Sequence, residues 1–123
     1  MSHGFLAEAS LEASKQIVGE CNNLYSINCH DMTPESLYKE IISLLESENL
    51  NEGLFILVSL RGGSCWNAAA KIVMEYKNVK LISGLNLSMV LSFVTKQNQY
   101  SFEELTNILM NDAVRGIVDF KRR

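Results

Sequence analysis

The chain predicts an α/β fold, a three-layer sandwich with a mostly parallel central sheet, on three observations. Leu54-Phe55-Ile56-Leu57-Val58 is an unbroken apolar run of strand length, bounded by Gly53 and by Gly62-Gly63, as in a parallel strand covered on both faces. A second such run, Val79–Ser83, follows one helix later and ends in Gly84. Elsewhere apolar residues recur at helical spacing, so strands alternate with helices.

In chain order, Ala7, Leu11, Ser14 and Ile17-Val18 define a first helix over residues 5–18, with Gly19 as its stop. Residues 24–29 alternate and read as a short strand. Thr33-Pro34 starts the second helix, threonine as N-cap and proline in the first turn; Leu37, Ile41, Leu44 and Leu45 are its buried stripe, and it ends near Leu50. After the central strand, residues 66–76 form the third helix and residues 86–94, beyond Gly84, a short fourth. Ser101-Phe102-Glu103-Glu104 has capping-box spacing and opens the last long helix, which Gly116 ends. Residues 117–120 have room for one more short strand. Only Met1 and Ser2 precede His3, too few for the strand that should deliver it to the sheet's carboxyl edge. The expectation is therefore that Met1-Ser2 is the tail of a first strand that is largely missing, its upstream part lying outside these residues.

Residues 1–123 fit one domain with a single core. A content of 47% hydrophobic and 20% charged residues is that of a globular protein, and a net charge of -3 gives no footprint for nucleic acid. No apolar run is long enough to span a membrane and no signal peptide precedes the first helix, so a cytoplasmic protein without membrane insertion is expected. Cys21, Cys29 and Cys65 lack CxxC spacing and read as reduced thiols. Cys29-His30-Asp31 has no second ligand group, and neighbouring side chains in an extended segment point apart, so no metal is expected. His30 is assigned no role, and no cofactor is called for.

The chemistry sits in His3 and the turn Arg61-Gly62-Gly63-Ser64. Imidazole titrates near neutrality, which leaves a free nitrogen to attack a phosphoryl donor, and a glycine turn opening a helix supplies N–H donors and a favourable dipole for phosphate. Phosphoryl transfer through histidine is the reading this supports.

Taken together, His3-Gly4-x-x-Ala7-Glu8, Ile17-Val18-Gly19-Glu20, Gly62-Gly63-Ser64-x-x-Asn67-Ala68 and Ser83-Gly84-Leu85-Asn86-Leu87-x-Met89 stand in the order and spacing of one family. The chain resembles the IIA component of the mannose/fructose/sorbose family of the bacterial phosphoenolpyruvate:sugar phosphotransferase system (PTS), over essentially its whole length. The resemblance implies an α/β fold, and His3 as a phosphoacceptor that takes a phosphoryl group from the carrier protein HPr and gives it to a IIB component. It also implies a homodimer in which the C-terminal strand, here residues 117–120, crosses to the partner.

Two residues depart from the family pattern. Ser59 stands where an aspartate usually follows the central strand; serine can position the ring but brings no charge to stabilise the imidazolium. Cys65 replaces the proline often found after the Gly-Gly-Ser turn. Arg61 is a candidate for pairing with phosphate oxygens, and Phe5, Asn86 and Met89 for the rim of the site, Met89 together with Leu87 leaning towards the core. Beside the phosphocarrier stand a weakened regulatory or binding paralogue of the same fold and a subunit of the kind that serves dihydroxyacetone kinase. The sugar is not legible, because selectivity lies in membrane components.

Overall fold

The computed structural model describes residues 1–50 and 52–122. Its elements are α1 (Leu6–Val18), α2 (Pro34–Ser47), β1 (Leu54–Val58), α3 (Ser64–Glu75), β2 (Val79–Ser83), α4 (Leu87–Lys96) and α5 (Phe102–Arg115). β1 and β2 pair in parallel, Leu54 opposite Val79 and Val58 opposite Ser83, giving the α/β class that the two apolar runs predict.

Alternation along β1 sorts the core. Ile56 and Val58 pack with Leu37, Ile41 and Ile72 from α2 and α3. Phe55 and Leu57 pack with Met89, Leu105 and Leu109 from α4 and α5. Strand side chains point to opposite faces, so five consecutive apolar residues are buried only if both faces are covered. The caps fall where the sequence places them: the Thr33 side chain accepts from Ser36 N–H, and Ser101 and Glu104 form the capping box of α5.

Met1 and Ser2 run beside β1. The Met1 amine donates to Leu57 O at 2.7 Å, and Ser59 N–H donates to Met1 O at 3.2 Å. On the other side Ser2 bridges Asn28 in parallel. That bridge is all that forms of the strand expected over residues 24–29: a ladder needs a partner of comparable length, and here only two residues offer backbone. The strand expected over residues 117–120 is not formed either. Ile117, Val118 and Phe120 are 79%, 80% and 94% exposed, with no sheet edge beside them.

Gly116 is the C-cap at which α5 stops, as expected, and it also allows close packing. Its φ of -71° is helical, and a Cβ there would fall 2.1 Å from Ser88 Oγ, so glycine is needed for the close approach of α4. The reduced thiols expected of Cys29 and Cys65 are also corrected: the fold brings their Cα atoms to 6.5 Å and the two are joined as a disulfide. Cys21 is free.

Candidate functional site

Ser2 anchors the segment that carries His3. It is fully buried, its backbone is bonded to Ile27 O and Cys29 N–H, and its Oγ accepts from Ala7 N–H at 2.8 Å. The start of α1 thus hangs from a serine five residues upstream, a capping role that no sequence signature announces because Ser2 precedes the helix by a whole turn. Between these anchors His3 and Gly4 loop outward. Gly4 has φ +63°, a conformation costly for other residues, and His3 is exposed.

The opposite wall comes from the end of β1. Ser59 is half-buried and held to Met1 through its N–H; Leu60 and Arg61 are exposed; Gly62 turns the chain with φ +87°; Gly63 is the N-cap of α3. No side chain caps this helix and its first turn carries no carboxylate, so its leading N–H groups and the positive end of its dipole are left for an outside acceptor. A Cβ at Gly63 would lie 3.6 Å from His3 Nε2. The missing side chain therefore keeps open the ground between the ring's outer nitrogen and the helix N-terminus. His3 and Gly63 are thus neighbours across this gap, and Ser64 follows as the first residue of α3.

Not every expected residue joins them. The Ser59 hydroxyl makes no hydrogen bond to His3, and Arg61 reaches no carboxylate among the described residues. Leu85 N–H donates to Val58 O at 3.1 Å, which brings the Gly84 turn to the end of β1, but Asn86 is engaged elsewhere. Its Oδ1 accepts from Met89 N–H and its Nδ2 donates to Ala113 O, capping α4 and tying it to α5. Met89, expected on the rim, is 2% exposed and belongs to the core, because its position on α4 points it at Leu105 and Leu109. Phe5, two residues after His3, is 72% exposed, and Leu60, in the segment that leaves β1, is 67% exposed.

Burial lowers the Met1 amine to about 6, so near neutrality it donates to Leu57 O mostly as a neutral group. His30 lies 3.2 Å from Asp31 on an exposed turn. A cavity of about 550 Å³ opens between β1, α4, α5 and residues 23–27, and His3 is not among its lining residues. No helix among the described residues is long and apolar enough to cross a membrane.

Residues 1–110 match the family model described as the PTS system fructose IIA component. The PTS system sorbose-specific EIIA component of Klebsiella pneumoniae is 34% identical over 107 residues, covering 85% of this chain and 76% of that protein. The PTS system mannose-specific EIIAB component of Escherichia coli K12 is 28% identical over 127 residues, covering 99% of this chain; the chain spans only 38% of that relative's length. Among solved structures, the mannose/sorbose specific IIA subunit of the phosphotransferase system from Enterococcus faecalis superposes with a TM-score of 0.89 at 23% identity, covering 100% of this chain and 92% of that one. At that identity the superposition speaks for the fold.

Proposed function

The chain belongs to the fructose/mannose family of PTS IIA components, and from that premise we propose that it is a cytoplasmic phosphocarrier in sugar uptake, with His3 accepting a phosphoryl group from HPr and passing it to a IIB component. The observation that carries this reading is the open ground in front of His3 Nε2, bounded by Gly63 and the uncapped start of α3. Nε2 attacks the phosphorus, a new N–P bond forms as the bond to the donor histidine breaks, and the reverse exchange delivers the group onward. Little covalent work falls to the protein in such a transfer; alignment and hydrogen-bond donors supply the catalysis. Gly62, Gly63 and Ser64 provide the donors and Arg61 a positive charge beside them, while Ser59 positions the ring only once the imidazole swings towards its hydroxyl. Phe5 and Leu60 form the apolar rim on which a carrier protein docks.

The finer architecture belongs to the same proposal: helical layers on both faces of the sheet, and a homodimer in which residues 117–120 pair with a second copy. The exposure of Ile117, Val118 and Phe120 supports it, since three large apolar side chains exposed within four residues call for a covering partner. A second reading, a weakened regulatory paralogue, draws on the neutral Ser59 and its lack of a bond to the ring. Incubation with labelled phosphoenolpyruvate, enzyme I and HPr separates the readings: the phosphocarrier takes up label and His3→Ala does not. Absence of label on the wild-type chain, or equal label on the variant, removes the proposal.

A further inference from the structure

Cys29 and Cys65 are 36 residues apart in sequence and meet behind the candidate site, 2% and 3% exposed. Each belongs to one of its walls. Cys29 N–H donates to Ser2 O at 2.9 Å, on the residue directly before His3. Cys65 lies in the first turn of α3, two residues after Gly63. The bond therefore joins the backbone that carries the histidine to the helix start that faces it.

We propose that Cys29 and Cys65 are a reversible thiol–disulfide couple that sets the alignment of His3 against the N-terminus of α3, aligned when oxidised and relaxed when reduced. This rests on the phosphocarrier reading for its consequence, though not for the chemistry of the pair. Two unbonded sulfurs require a separation of about 3.5–4 Å instead of the covalent distance of about 2.05 Å. Without the bond the two walls lose their covalent tether and are free to shift relative to one another, and a shift on the order of 1 Å between reacting groups costs up to roughly 10²-fold in rate.

A small-molecule disulfide such as oxidised glutathione drives the change. One cysteine thiolate attacks it, releasing a glutathione thiolate and leaving a mixed disulfide. The second cysteine thiolate then attacks the protein sulfur of that mixed disulfide and releases the second glutathione thiolate. Two electrons pass from the protein to the reagent, whose thiolates take up the protons. Reagent reaches the buried pair when the loop between α1 and α2 opens; apart from its single bridge, that loop has no regular structure.

The test uses the full chain, oxidised with glutathione disulfide or reduced with dithiothreitol and then desalted. Alkylation and mass spectrometry are expected to count three reactive thiols in the unfolded reduced protein and one, Cys21, in the unfolded oxidised protein. Phosphoryl uptake from HPr is expected to fall at least about threefold on reduction and to recover on re-oxidation. In a Cys21→Ser background, which removes the mixed disulfide that Cys21 would form with glutathione, Cys29→Ser/Cys65→Ser should not respond to either reagent, and Cys65→Ala serves where that variant folds poorly. NMR signals of the Gly63 and Ser64 amides and of the His3 ring should move with redox state. Three thiols remaining after oxidation, or a disulfide that leaves both rate and signals unchanged, overturns the proposal, as does faster uptake by the reduced form. Redox-dependent signals without uptake in either state uphold the couple and defeat the phosphocarrier reading instead.

Discussion

Gly63→Ala separates the proposed chemistry from the fold. The backbone at Gly63, φ -89° and ψ -173°, is open to alanine, and the added Cβ meets His3 Nε2 at 3.6 Å, an ordinary contact. The structural cost is that of replacing glycine by alanine at an N-cap, up to about 1 kcal/mol, or a few degrees in Tm for a chain of this size. Transfer is affected far more. The donor phosphorus must come within about 3–3.5 Å of Nε2, and a methyl group in that shell displaces it by on the order of 1 Å, a loss of roughly 10²-fold. The assay is the initial rate of label transfer from HPr, beside a melting curve of the same preparation. A variant that melts within a few degrees of the parent and transfers within twofold of its rate refutes the placement of the phosphoryl group on the Gly63 side of the ring.

Other substitutions and conditions probe separate parts of the account. Ser59→Asp supplies the missing carboxylate beside His3 and should raise the transfer rate at least about tenfold; an unchanged rate in a single-turnover assay means that serine suffices. Gly116→Ala drives a Cβ to 2.1 Å from Ser88 Oγ, so α4 and α5 must part, at a cost of about 1–3 kcal/mol in urea denaturation; unaltered stability contradicts that close approach. Burial lowers the Met1 amine from 8.0 to about 6, so between those values the unfolded chain holds a proton that the folded chain rejects. Stability should therefore rise with pH from 6 to 8, by up to about 2.7 kcal/mol, and this contribution is lost as pH falls back through the window. Denaturation curves of the 123-residue chain at pH 5.5 and 8.5 test it against an N-terminally acetylated control, which should lack the difference; equal slopes for both dismiss it.

Local signals survived folding well. Thr33-Pro34, Ser101 with Glu104, and the run Leu54–Val58 each act through neighbours in sequence, and each appears where it was read. The bends on either side of the candidate site were legible in part, for Gly4 and Gly62 both take a positive φ that glycine allows at little cost. What was missed depends on partners far along the chain. Residues 24–29 alternate like a strand, yet only Ser2 lies beside them to pair. Cys29 and Cys65 meet because α3 packs near the segment after α1, which spacing cannot reveal. Ser2 became a cap through a loop closed by tertiary bonds, whereas the core leaning of Met89, under α5, was read correctly.

The most direct measurement maps the phosphoryl group itself. After incubation with phosphoenolpyruvate, enzyme I and HPr, ³¹P and ¹⁵N NMR of the ring-labelled protein should show one phosphoramidate, on Nε2 of His3, the nitrogen that faces Gly63. A phosphoryl group on His30, on the other ring nitrogen of His3, or on no histidine contradicts the account.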